Sequence, residues 1–221
     1  MIRVAIDGPG GAGKSSVAKA IAKNLGIIYV DTGALYRNIG YYMLRVGIDP
    51  KDKEAVASAL GRFSLELKFE GGRQVILLNG EDVGDAIRTP EVSMAASDVS
   101  AIPEVRNHLL DIQRDTAKKN SVIMDGRDIG TVILPEAEVK IFLTASAEER
   151  AQRRFKELQA KGSTVSYQAV LDELIERDYN DSHREIAPLK PAEDSVLLDT
   201  TGISLEGQVE KIINIIKEKV Q

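Results

Sequence analysis

The sequence predicts an α/β fold in which a parallel sheet of about five strands is covered by helices on both faces. Two observations lead there. Five short apolar runs recur, at Ile2 to Ile6, Ile27 to Val30, Val122 to Met124, Val139 to Leu143 and Val196 to Leu198, mostly with helical patterns between them. A glycine-rich segment directly follows the first run.

That segment is Gly8-Pro9-Gly10-Gly11-Ala12-Gly13-Lys14-Ser15, and it satisfies Gly-x-x-x-x-Gly-Lys-Ser/Thr with a strand before it and a helix after it. Glycines let the backbone curl so that successive N–H groups point inward, and no Cβ blocks an approaching phosphate. The helix beginning near Lys14 adds its positive dipole end. Lys14 can then reach the β- and γ-phosphates of a bound triphosphate, and the Ser15 hydroxyl can ligate Mg²⁺. The plainer reading of the same letters is a glycine-rich turn before a helix.

Helical patterns fall at about 14 to 25, 33 to 46, 53 to 61, 91 to 99, 103 to 119, 147 to 161, 166 to 182 and 205 to 219. Roughly ninety residues separate the second and third apolar runs, too long for a simple crossover, so the interval should hold an inserted subdomain. Within it Phe63 to Phe69 alternates, Gly71-Gly72 supplies a turn and Val75 to Leu78 returns, which predicts a hairpin outside the main sheet.

Composition narrows the function. The chain of 221 residues is 43% hydrophobic and 29% charged, the make-up of an ordinary globular protein. A net charge of -5 argues against nonspecific binding to nucleic acid or to an anionic membrane, both of which need a broad basic surface. Cysteine is absent and the only histidines are His108 and His183, which argues against a thiolate or histidine-rich metal site and fits a reducing cytoplasm. The amino terminus enters a strand without a basic stretch, an apolar core and a cleavage site, and no run approaches membrane-spanning length, so a cytoplasmic protein is expected.

Further constellations surround the phosphate loop. Val122 to Asp125 ends an apolar strand in a carboxylate, as a second acidic element near Mg²⁺ requires, and Gly126-Arg127-Asp128 follows at once. Ligands of an open parallel sheet bind outside the carboxyl ends of its strands, so Asp125, Arg127 and Asp128 should face the loop. Taken alone, the tetrad is equally a turn with an internal ion pair. The second run ends in Asp31-Thr32-Gly33-Ala34-Leu35-Tyr36-Arg37, where Asp31 or Thr32 caps a helix. A helix start, a hydroxyl and Arg37 together suit a second phosphate; a capped helix with a solvated arginine is the bland alternative.

In the last third Arg150, Arg153 and Arg154 share one helical face, and Arg177, Asp181 and Arg184 another. They read either as a closing lid that neutralises charge on a transferred phosphoryl group or as solvated faces offset by Glu149, Glu157 and Asp181. Ser97 and Arg106, flanking Ile102-Pro103, are by spacing surface or capping residues, and His108 and His183 are structural or solvated. A nucleoside monophosphate has a second phosphate pKa near 6, so its oxygen is already mostly anionic at pH 7 and needs positioning rather than a base. Many arginines and no evident histidine base therefore favour a phosphate acceptor over a hydroxyl, although Asp7, Asp125 or Asp128 remains open as a base.

These motifs, with Ile87-Arg88-Thr89, Asp125 to Thr131, Lys140 to Leu143, Glu148 to Ala151 and Glu176-Arg177-Asp178, make the chain resemble the bacterial cytidylate kinases, a branch of the nucleoside monophosphate kinases, over nearly its whole length. The resemblance implies a single P-loop NTPase-like kinase domain over 1 to 221. Its five-stranded sheet would carry a monophosphate-binding insertion roughly at 33 to 118, with a small antiparallel β element, and a short helical lid roughly at 150 to 182.

It further implies that Gly8, Pro9, Gly10, Gly11, Ala12, Gly13, Lys14, Ser15 and Ser16 hold ATP, with Ser15 on Mg²⁺. Arg37, Arg127 and Arg184 would bind the acceptor phosphate near Thr32 and Tyr36. Ser97, Arg106 and Asp128 would read the cytosine edge, and Arg177 with Asp181 would hold the sugar. Lys14, Arg127 and Arg154 would carry the chemistry, with Arg154 in the lid. Thr32 stands where the family often has serine, and Gly10 likewise; the first keeps the hydroxyl and the second the backbone donors.

The expected activity is transfer of the γ-phosphoryl group of ATP to CMP or dCMP by a monomer with no polymer or membrane partner. A kinase for UMP or a hydroxyl metabolite is the nearest rival. A nucleotide switch is disfavoured by the absence of an Asn-Lys-x-Asp segment.

Overall fold

The computed structural model describes residues 1–160 and 162–220. Strand β1 (Arg3–Asp7) runs straight into the glycine-rich loop. Helix α1 (Lys14–Leu25) ends at Gly26, whose left-handed φ of 64° lets its N–H reach the Ala22 carbonyl. Strand β2 (Ile28–Asp31) leads without a linker into α2 (Thr32–Arg45), because the Asp31 carboxylate accepts the Ala34 N–H at 2.9 Å. Of the two caps the sequence leaves open, Asp31 is the one used.

Helix α3 (Lys53–Ala59) tightens into a 3₁₀ turn over Leu60–Arg62, so the helix expected to residue 61 loses its α geometry two residues early. The expected hairpin forms as β3 (Leu65–Glu70) and β4 (Arg73–Leu78), with Glu70 opposite Arg73 across Gly71 and Gly72 at φ 57° and 78°. A third strand, β5 (Glu81–Asp82), joins β4; its two exposed acidic residues carry no apolar pattern from which to predict it. Helices α4 (Pro90–Ser100) and α5 (Pro103–Lys119) both open on proline, which suits a first helical position with no N–H to satisfy.

Strand β6 (Val122–Gly126) is followed by a π-helical turn at Ile129–Ile133, which periodicity does not foretell. Then come β7 (Val139–Thr144), α6 (Ala147–Ala160), α7 (Tyr167–His183), β8 (Val196–Asp199) and α8 (Leu205–Lys219). The last residue of the helix predicted over 147 to 161, Lys161, lies outside the described residues, as does Gln221. Ser166 and Ser204 cap α7 and α8 through their hydroxyls.

The main sheet has the order β2-β6-β1-β7-β8 and every pairing in it is parallel. Val4, Ala5, Ile6, Val122, Ile123 and Met124 are fully buried, as strands covered on both faces must be. One face packs Ile6, Ile123 and Ile141 against Val17 and Ile21 of α1 and Ile212 of α8. The other sets Ala5, Val30 and Met124 against Ile129 and Ile133. At about 1.5–3 kcal/mol per fully buried aliphatic side chain, these two layers hold the strand ends in place.

A further core joins α2, α4 and α5 to the hairpin through Ile39, Met43, Val99, Leu109, Ile76 and Leu78. A fourth, small, joins α6 to α7 through Ala151, Leu158, Val170 and Leu174. The register places Asp7 opposite Gly126 and Asp31 opposite Asp125, so β1, β2 and β6 finish side by side. Among the described residues no helix is long and apolar enough to cross a membrane.

Candidate active site

The loop after β1 takes its shape from glycine. Gly8 has φ 147°, and a Cβ there would lie 1.9 Å from the Leu143 carbonyl oxygen, so β7 passes where only glycine leaves room. Gly11 and Gly13 are left-handed at φ 73° and 90°. Lys14 is buried and folds back to donate from Nζ to the Pro9 carbonyl at 2.7 Å. Burial, with Arg127 nearby, pulls its ammonium well below the usual lysine range.

Ser15 donates from Oγ to Asp125 Oδ2 at 2.8 Å, and Tyr29 donates to Asp125 Oδ1 at the same distance. Burial, followed by the neighbouring Asp31 charge, pushes the Asp125 carboxyl up. Ser15 and Asp125 form an oxygen-only donor set at the loop. It fits a hard divalent cation, which typically takes one or two carboxylates and completes its shell with phosphate and water.

Beside the loop opens a cleft of about 590 Å³, in whose walls cations outnumber carboxylates. Gly10, Gly11, Gly13, Lys14, Ser15 and Ser16 line one part of it. Thr32, Tyr36, Arg37, Ser97, Arg106, Arg127, Asp128, Arg177, Asp181 and Arg184 line another part, so the predicted acceptor residues converge from four helices and one strand end, and Arg154 of the predicted lid lines it from α6. Gly8, Pro9 and Ala12 form the loop without lining the cleft.

Most acceptor residues are held by a neighbour. Arg37 Nη2 donates to Asp31 Oδ2 at 2.7 Å. Burial alone would raise the Asp31 carboxyl, but Arg37 and the Ala34 N–H outweigh it and hold it low. The Thr32 hydroxyl donates to the Asp125 carbonyl at 2.8 Å. Arg106 donates to Asp128 in a buried ion pair, and Arg184 Nη2 lies 3.6 Å from the other oxygen of that carboxylate. Burial nevertheless pushes the Asp128 carboxyl up against the pull of both arginines. The Tyr36 ring lies under the Arg106 guanidinium at 5.8 Å, its hydroxyl buried and without a partner.

Asp181 Oδ1 accepts from Ser97 Oγ at 2.9 Å and its Oδ2 from Arg127 Nε at 2.8 Å. Burial disfavours that charge, yet Arg127 and Arg177 hold the carboxyl at about 2. Burial and the adjacent Arg127 bring the Arg177 guanidinium down to about 10, and its Nε is buried without a partner. Such crowding of cations is costly in an empty site and favourable around phosphate.

Three expectations need correcting or resolving. Arg150, grouped with Arg153 and Arg154 as a lid cation, is buried beneath the phosphate loop and does not line the cleft. Arg153 and Arg154 do line it, and each pairs with a glutamate, Glu149 and Glu157 respectively. Asp7 does not serve as a base on the acceptor: its oxygens accept the Ile129 and Gly130 N–H groups at 2.7 Å each, below the cleft surface. His108 packs edge-on against Phe63 and His183 stacks on Tyr179, both away from the cleft.

Sequence reasoning missed several lining residues, Ser100 and Gln208 among them. Ser100 accepts from Arg184 Nη1 at 2.8 Å, and Gln208 of α8 borders Gly13 with its Oε1 unpartnered. Neither belongs to a recognisable local pattern.

The family model described as cytidylate kinase matches residues 4–218. A cytidylate kinase of Caldicellulosiruptor bescii is 51% identical over 220 residues, covering 100% of this chain and 97% of that protein. One of Caldicellulosiruptor saccharolyticus is 52% identical over 214 residues, covering 97% of this chain and 95% of that protein. Among solved structures, an uncharacterized protein from Eubacterium ventriosum aligns with a TM-score of 0.55 at 14% identity, covering 98% of this chain and 99% of that one, a likeness of fold alone.

Proposed function

Because this chain belongs to the cytidylate kinase family, we propose that it transfers the γ-phosphoryl group of ATP to CMP and dCMP, giving ADP with CDP or dCDP. The observation that carries this reading is that one cleft combines Lys14 and Ser15 of the phosphate loop with the buried Arg106–Asp128 pair. The first suits a triphosphate. The second, a donor beside an acceptor, suits the cytosine edge with its ring acceptors and exocyclic amine.

In this reading the loop N–H groups and Lys14 hold the donor phosphates, while Arg37, Arg127 and Arg184 orient the acceptor phosphate for in-line attack. Ser97, Arg106 and Asp128 select the base, and Arg177 with Asp181 positions the sugar. The acceptor oxygen is already anionic near neutrality, so no general base is needed and the arginines offset the repulsion between the two phosphates as they approach. Arg154 approaches when the segment 150 to 182 closes as a lid, which excludes water as a competing acceptor. The segment 33 to 118 forms the monophosphate-binding insertion. Ser15 and Asp125 would hold Mg²⁺, which when bound neutralises phosphate charge. The protein acts as a cytoplasmic monomer with nucleotides as its only partners.

The test is ADP formation from Mg²⁺-ATP with CMP, dCMP, UMP, AMP, GMP or no acceptor, alongside a Lys14→Ala variant. Stimulation by CMP and dCMP but little by purine monophosphates, with turnover lost by about 100-fold or more in the variant, supports the reading. Turnover indifferent to the acceptor, or strongest with UMP, discards it.

A further inference from the structure

The buried arginine under the phosphate loop bridges three separate elements of the fold. Arg150 in α6 donates from Nη1 to the Gly10 carbonyl at 2.9 Å and from Nε to the Ala145 carbonyl at 2.9 Å. Its Nη2 lies 2.6 Å from Asp178 Oδ2 on α7. A single planar guanidinium thus touches the donor loop, the end of β7 and the helix that bears Arg177 and Asp181.

The contact is tight on the loop side as well. A Cβ on Gly11 would stand 3.2 Å from the Arg150 Cβ, and one on Gly10 would stand 3.3 Å from Leu174 Cδ2 of α7. Asp181 lies three residues further along α7, within one helical turn of Asp178, and accepts from Arg127 and Ser97 on the acceptor side. Spare bonding capacity marks the junction: Asp178 Oδ1 and Arg177 Nε are both buried without a partner.

We propose that Arg150 and Asp178 are positioning residues, a clasp that keeps α7 in register with the phosphate loop so that occupation of the loop sets the placement of Arg177 and Asp181. The proposal rests on the phosphoryl-transfer reading for its kinetic consequence and on the observed bonds for its structural one. Neither residue lines the cleft. Their loss therefore affects the ternary complex more than either binary one.

The experiment compares the wild-type protein with Asp178→Asn, Arg150→Lys and the double variant. CMP-dependent kcat is expected to fall about 10-fold or more in each, while the Kd of AMP-PNP and of CMP measured singly stays within about 3-fold. The double variant should lose no more than the worse single one, because the two side chains act through one ion pair. Hydrogen exchange supplies a readout independent of the acceptor: Mg²⁺-AMP-PNP should slow exchange of α7 amides in the wild-type protein and leave them unchanged in Asp178→Asn.

A kcat within about 2-fold of wild type in a folded Asp178→Asn, additive losses, or equal α7 protection in both proteins would overturn the clasp. Should Asp178→Asn not fold, Arg150→Lys, which keeps the buried cation, gives the same kinetic and exchange comparison. If the wild-type protein shows no CMP-dependent turnover, the proposed function fails while the exchange result still decides the clasp.

Discussion

Ser15 Oγ donates to Asp125 Oδ2 at 2.8 Å, which ties the first residues of α1 to the end of β6 across 110 positions of sequence. The pairing follows from the sheet order, since β6 lies directly beside β1 and beside β2. Tyr29 completes the arrangement from β2 by donating to the other carboxylate oxygen. Replacing the carboxylate by an amide, Asp125→Asn, keeps the shape and removes the charge. Turnover should fall by roughly 100-fold or more, with the Mg²⁺ concentration for half-maximal rate rising. Rates titrated with Mg²⁺ check this, and an unchanged metal dependence would separate Asp125 from the cation.

Arg37 is the clearest probe of the acceptor phosphate. It lines the cleft and is already oriented by Asp31, whose second oxygen caps α2. Arg37→Ala leaves that cap intact, so the fold should survive. The KM for CMP should rise about 10-fold or more while the KM for ATP stays near wild type. Initial-rate kinetics in both substrates make the comparison, and equal rises in the two KM values would show a general disturbance of the cleft instead.

In the proposed reading the base selector is the buried pair of Arg106 and Asp128. Cytosine presents an amine where uracil presents a carbonyl, so a carboxylate at that edge favours cytosine and repels uracil. Sites that hydrogen-bond a substrate group reject analogues lacking it far more strongly than apolar pockets reject a change of size. Asp128→Asn should therefore lower the ratio of kcat/KM for CMP over UMP by about 100-fold. It should also destabilise the protein, because Arg106 then loses a buried counter-charge. Competition between the two monophosphates, with thermal unfolding alongside, measures both effects.

The parts of this molecule that were legible in the sequence are those whose cause is local. The loop from Gly8 to Ser15 is readable because glycine, lysine and serine at that spacing have few other uses after a strand. The main strands are readable because burial on both faces leaves uninterrupted apolar runs. Arg150 was not legible: its partner Gly10 is 140 residues away, and a spacing argument can place it only on the same helical face as Arg153 and Arg154. Strand β5 consists of Glu81 and Asp82 and exists only because β4 offers an edge. The meeting of Arg106 and Asp128 was legible through family resemblance alone, since they lie 22 residues apart and come together only after α5 and β6 pack.

Asp7 turns the junction of loop and sheet into a pH-dependent element. It is 4% exposed, and burial is the largest influence on it, raising its carboxyl to about 7 against the two N–H groups it accepts. A carboxyl raised above its unfolded value of 3.8 keeps its proton in the folded state where the unfolded chain has lost it. Its contribution to stability is thus fully present below pH 3.8 and is lost as pH rises through about 7, an interval corresponding to roughly 4 kcal/mol.

Asp125 and Asp128 are also raised and act in the same direction, whereas Asp181, held at about 2, loses its contribution only at more acidic pH. Asp7→Asn removes the titration and one of the two acceptors. The variant should be less stable than wild type, and the difference in unfolding free energy should be largest at about pH 4 and shrink steadily as pH rises toward 7.5. Denaturant unfolding at stepped pH measures it; a difference that grows with pH would mean that Asp7 is ionised throughout and that its N–H partners, not its burial, govern it.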